Sequence, residues 1–220
     1  PTILIVSPRD RIERTESVLL ASEILPGERD ELEKKIASQA NLAALVEDVG
    51  GISTYPSIIT SQDLRSALVT ASHEWLHQYL FFRPLGQNYG RDADMSSLNE
   101  TLANTFGEEL GNLVYERLTG KTTTPAEVFE AQPCPQDRFC FSREMRQTRL
   151  QVDQLLAEGK IAEAETYMEE RRQVFVEHGY YIRKLNQAYF AFHGTYADSP
   201  ASVSPIFRQL RDIRRASPSL

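Results

Sequence analysis

Residues 73 to 77 read His-Glu-Trp-Leu-His, a match to the spacing H-E-x-x-H. On a helix, positions i and i+4 share one face about one turn apart, so the imidazoles of His73 and His77 can share one metal ion. Glu74 is turned by about 100° from His73, close enough to lean towards a metal-activated water without being a ligand. Zinc suits two imidazoles, and a carboxylate beside the pair suits a general base. The bland alternative is a buried helix whose two histidines are satisfied by neighbours. A third ligand decides between the two.

Glu100 stands twenty-three residues after His77, in "NETLANTFGEELG", early in a further helical stretch. Two histidines and one glutamate leave one zinc position open, the layout of a catalytic site. Asn104 lies one turn on and is expected to hold the free N–H of a ligating histidine. Ala103, Gly107 and Gly111 recur every four residues, a stripe that lets two helices approach closely. Glu108, two turns beyond Glu100, is the competing third ligand.

"HEWLH" followed by "NETLAN" resembles the gluzincin group of zinc metallopeptidases, in which H-E-x-x-H is completed by a Glu within N-E-x-x-(A/S)-(D/N). The resemblance implies one Zn2+ held by His73, His77 and Glu100, Glu74 as general base, and Asn104 as the residue that orients a ligand. Asn104 departs from the Asp common at that place. "VSPRDRI", "GGISTYPSIIT" and "SHEWLHQYLFFRPLG" extend the similarity to a family of bacterial metallopeptidases, often membrane-anchored, whose activity is inferred from the same zinc motif. The expected activity is hydrolysis of a peptide or protein substrate. The alternatives are a zinc hydrolase with a non-peptide substrate and a catalytically silent interaction module.

A tetrahedral oxyanion needs a donor besides zinc. Tyr180, Tyr181, Tyr189, His193 and Tyr196 are candidates, with His193 and Tyr196 favoured because "FHGTYAD" frees polar side chains beside a loop. His178, before Gly179, reads as a helix-end residue. Ser53, Thr54 and Tyr55, on an edge strand ahead of the zinc helix, are expected to line the substrate cleft.

The elements that must position these residues give a mainly α (α+β) chain: a zincin-like helical domain with a small N-terminal β-sheet and a C-terminal helical hairpin. "PTILIVSP" reads as a strand, and "TESVLLA" as a strand or short helix. Residues 25–50 read as one helix, and "GGISTYPSIIT" as an edge strand interrupted by Pro56. A helix over 61–82, capped by Thr60 or Ser61, carries the zinc histidines, with Trp75, Leu76 and Leu80 packed on the core. Another spans 96–118 and stops at Gly120. Residues 143–178 form a helical hairpin, the second helix continuing to about 194, and a short helix follows Pro205. One domain over 1–220 is expected: sheet and helix to 60, zinc-site helices over 61–120, further helices over 140–216.

The net charge of −7 and scattered Lys and Arg exclude a basic nucleic-acid face. No run of about 20 apolar residues is present, so membrane association is expected only through an upstream anchor. The chain opens on Pro1 rather than methionine, which leaves room for a processed signal peptide or anchor. Cys134 and Cys140, the only cysteines, lie in one Pro-rich loop; a bridge between them and an extracytoplasmic location are expected.

Overall fold

The β-branched opening forms β1 (Thr2–Pro8), which pairs antiparallel with both β2 (Glu16–Leu20) and β3 (Leu42–Asp48) in the order β2-β1-β3. Leu4 faces Val18 on one side and Val46 on the other. The computed structural model describes residues 1–21, 23–60, 63–123, 134 and 138–217. The chain is mainly α-helical with this small N-terminal antiparallel sheet, as expected of a zincin-like helical chain. It divides into two compact units: Pro1 with Val49–Pro133 and Ser204–Leu220, and Thr2–Asp48 with Cys134–Val203.

The sheet lies in the second of these. The segment expected as one helix over 25–50 is instead α1 (Pro26–Ala40) followed by β3. Pro26 starts the helix, and Asn41, left-handed at φ 55°, ends it. The strand was hidden because Ala43 to Val46 are all buried, which erases the alternation that marks a half-exposed strand. α1 packs on the β3 face that carries Ala44 and Val46, with Leu32 and Ile36 of the helix in that cluster.

α5 (Phe141–Ala157) and α6 (Ile161–Glu177) form the expected hairpin, closed over Met145, Val152, Met168 and Phe175. The second helix stops earlier than expected. His178 caps it, Gly179 takes φ 84°, and a separate α7 (Gln187–His193) begins where Asn186 Oδ1 accepts from the Tyr189 amide. Cys134 and Cys140 are bridged, with Cα atoms 5.7 Å apart. The rest of that loop, 124–133 and 135–137, lies outside the described residues.

One buried charge ties this unit together. Glu33 of α1 has no exposed side-chain surface and meets Arg183 at 2.5 Å, Lys184 at 2.8 Å and the Val46 amide at 2.6 Å. Burial raises its pKa, but those partners outweigh burial and hold it below the ordinary 4.5. The stability it contributes is therefore complete above pH 4.5 and is lost as pH falls through the lowered folded value.

The first unit holds the site. β4 (Gly51–Ile52) and β5 (Ile58–Ile59) form a two-residue antiparallel hairpin, where one edge strand was expected. α2 (Leu64–Phe81) follows. Its cap is neither Thr60 nor Ser61. Asp63 Oδ1 accepts from the Ser66 amide, Thr60 closes the hairpin onto the Gly50 carbonyl, and Ser61 lies outside the described residues. A single-turn α3 (Pro84–Gln87) leads to α4 (Ala93–Thr119), capped by Asp92 and ended by Gly120 at φ 68°. α8 (Ile206–Ala216) packs on α4, where Arg214 pairs with Glu109 at 2.8 Å.

α2 and α4 approach closely along the small-residue stripe. A Cβ on Gly107 would lie 2.9 Å from the Val69 carbonyl oxygen, and one on Gly111 2.5 Å from Val69 Cα. Both obstacles are backbone, which cannot swing aside. Leu76 and Leu80 are buried against Ala103 beside this seam. Trp75 is not; half exposed, it stacks on Tyr79 and Phe106.

Two outcomes follow from the packing. Gly111→Ala should cost about 1–3 kcal/mol in urea unfolding, because α4 must withdraw from Val69. Glu33→Gln should lower stability at pH 7 and flatten its decline on the acid side, read from urea midpoints between pH 3 and 7.

Candidate metal centre

α2 presents His73 and His77 towards α4, and the approach at Gly107 brings Glu100 to meet them. A Cβ on Gly107 would sit 3.1 Å from His73 Cβ, so the glycine directly abuts the ligand. The two Nε2 atoms lie 3.0 Å apart, and Glu100 Oε2 is 3.5 Å from each. A point equidistant from these three atoms lies about 1.9 Å from each, close to the 2.0–2.2 Å of zinc bonds to nitrogen and carboxylate oxygen. His73, His77 and Glu100 are the group of donors able to hold one metal ion among the described residues.

The charges agree with the distances. Glu74 and Glu100 are both buried. Among the described residues no Lys or Arg forms an ion pair with either one. Burial raises the Glu100 pKa, but His73, His77 and Tyr89 more than offset this and hold it well below the ordinary range. Burial lifts the Glu74 pKa, partly countered by the two histidines and reinforced by Glu100. Two buried carboxylates without a permanent cation favour a divalent ion at the point where the ligand atoms converge. The residues present fit zinc.

His73, His77 and Glu100 form a zinc-binding triad consistent with a gluzincin metallopeptidase active site. No protein-family model, curated protein or solved structure matches the chain. The assignment thus rests on the geometry. The triad with Glu74 supports zinc-dependent hydrolysis, and it implies a groove for substrate beside it.

The competing ligand, Glu108, is engaged elsewhere: it meets Arg65 at 3.3 Å and accepts from Asn112. Asn104 sits one turn after Glu100 on α4, half-buried. Ser53 and Thr54 lie in the loop between β4 and β5 and are fastened to α2, the Ser53 hydroxyl donating to the Glu74 carbonyl and the Thr54 carbonyl accepting from Gln78. Tyr55 is 96% exposed at the hairpin tip. His193 and Tyr196 belong to the other unit, at the end of α7 and in the turn after it. The His193 ring lies against Tyr189, its Nε2 is buried with no hydrogen-bond partner among the described residues, and burial pushes its pKa down to about 4.

Two residues join the site that the sequence pattern did not point out. Tyr89 donates to Glu100 Oε1 at 2.5 Å, leaving Oε2 for the metal, and its ring meets His77 edge to face. Asn99, buried beside Glu100, donates its amide to the Leu85 carbonyl and contributes to the raised pKa of His77. Asn99 had a signal, being the Asn of "NE". Tyr89 had none, since a loop tyrosine joins Glu100 only through tertiary packing.

Tyr89→Phe should weaken zinc binding about tenfold, measured by competition with a chromophoric chelator, while secondary structure is unchanged. Burial lowers the His77 pKa, but Glu100, Glu74 and Asn99 outweigh it and raise it above 6.5. Zinc needs the neutral ring, so apparent affinity should begin to fall, as pH is lowered, at a higher pH than a free imidazole would give.

Proposed function

We propose that the chain is a zinc-dependent peptidase. The observation that carries this reading is the convergence of His73, His77 and Glu100 on one point with the Glu74 carboxylate beside them. Zinc held there by His73, His77 and Glu100 would polarise a carbonyl and bring the pKa of a water near neutrality. Glu74, lifted in pKa by burial, would take a proton from the attacking water and deliver it to the leaving amine. Tyr89 holds Glu100 in place. Asn104 is proposed to steady a ligating histidine from the next turn of α4.

For the substrate, an extended peptide along Ser53 to Tyr55 fits a hairpin already fastened to the zinc helix. For the oxyanion, the proposed donor is His193 or Tyr196, which His193→Gln and Tyr196→Phe would tell apart by their effect on kcat. The bridge between Cys134 and Cys140 supports an extracytoplasmic location. No helix among the described residues is long and apolar enough to cross a membrane. A membrane anchor upstream of Pro1 is proposed on the family resemblance alone.

Glu74→Gln should retain one zinc per chain and lose about 10²–10⁴ of kcat on a quenched-fluorescence peptide library. Glu100→Ala should lose the metal itself. Zinc-loaded wild type that cuts no member of the library would favour a non-peptide substrate. Wild type that binds less than half an equivalent of zinc would leave only the silent module.

A further inference from the structure

The general base has a wall that the ligands do not share. β4 lies across α2 so closely that a Cβ on Gly51 would sit 2.6 Å from Glu74 Oε1, 2.7 Å from Thr70 Cγ2 and 3.1 Å from Glu74 Cγ. The nearest atom is thus the carboxylate oxygen of the base. Three side-chain hydrogen bonds hold the hairpin down on the same helix. Ser53 Oγ donates to the Glu74 carbonyl, and Gln78 Nε2 donates to the Thr54 carbonyl at 2.6 Å and to Ser57 Oγ at 3.1 Å. These fasteners stand on residues 74 and 78 of α2 and bracket the metal histidine His77.

We infer that the β4–β5 hairpin is the positioning element for Glu74, and that Gly51 is the place where its backbone sets the carboxylate's direction. The inference rests on the reading of Glu74 as base. An absent side chain at Gly51 lets the strand bound the carboxylate on one side. Adding one methyl group forces a choice. Either the carboxylate turns away, or the hairpin lifts against its fasteners. Neither displaces His73, His77 or Glu100, which are set by the α2–α4 seam. The hairpin therefore controls turnover without controlling metal affinity.

The test uses the full chain loaded with zinc. Gly51→Ala should bind zinc within about twofold of wild type by chelator competition, lose about a hundredfold in kcat on the peptide library, and change KM little. Acetohydroxamate supplies a second readout that needs no turnover. It chelates zinc and gives its N–OH proton to a carboxylate beside the metal, so Gly51→Ala and Glu74→Gln should each weaken it about tenfold. Gly51→Ala with Thr70→Ser removes the Cγ2 that the new methyl meets, and should recover part of both losses. Gln78→Ala loosens the hairpin without adding bulk and should also lower kcat at unchanged zinc affinity. It decides the matter if Gly51→Ala does not fold. Wild-type kcat and acetohydroxamate affinity in both hairpin variants, or losses that merely track lost zinc, would overturn the inference. If Glu74→Gln itself keeps full turnover and acetohydroxamate affinity, the assignment of the base fails instead.

Discussion

The close approach of α4 to α2 is the contact on which the metal centre depends. Helix axes ordinarily pack about 8–10 Å apart, with side chains filling the gap. Here Gly107 and Gly111 leave nothing in the gap, and the backbone of α4 rests against Val69 and the root of His73. A glutamate side chain has short reach. Only with the helices this close can Glu100 place one oxygen 3.5 Å from each histidine nitrogen. The seam is apolar at Ala103, Leu76 and Leu80, and burying those residues supports the helix pair. The same seam removes water from Glu100, so its charge leans on the two histidines and Tyr89. Helix packing and metal affinity are thus two sides of one free energy, and zinc should stabilise the folded unit by linkage.

Burying carboxylates is done in two ways in this chain, and the contrast separates structure from chemistry. Glu33 is enclosed with Arg183, Lys184 and a backbone amide, all supplied by its own unit. Its charge is balanced in the folded state and needs nothing from outside. Glu74 and Glu100 are enclosed with histidines and a tyrosine, groups that do not carry a fixed positive charge at neutral pH. The first arrangement holds α1 against β3. The second leaves a demand for positive charge at one point, and a hydrolase uses that demand to bind its ion and to keep a base poised.

The sequence alone carried the ligands, because H-E-x-x-H and the glutamate of "NETLAN" lie on two helices whose faces follow from periodicity. It also carried the seam, since Ala103, Gly107 and Gly111 repeat at helical spacing. What it hid was of two kinds. β3 was concealed by burial on both faces, which turns a strand into an apolar run that a helix could equally produce. The break between α6 and α7 was written in Gly179 and Asn186, yet the apolar pattern on either side outweighed them. The second kind depends on tertiary contact. Tyr89 and the hairpin wall at Gly51 belong to segments remote from their partners' helical faces, and no local period registers them.

This difference also bears on rigidity. The three ligands stand on helices of 18 and 27 residues locked together along a backbone seam. The base shares the first helix, but its carboxylate is bounded by a hairpin whose strands have two residues each. So short a ladder has little stability of its own, and hydrogen bonds to α2 supply what it lacks. Elements of this kind open more readily than long packed helices. Metal retention and base orientation therefore rest on parts of unequal stability, and a substrate placed along the hairpin as proposed would firm the wall of the base without disturbing the ligands. Binding energy from the proposed peptide backbone would then be directed at the one catalytic group whose direction is not already fixed by helix packing.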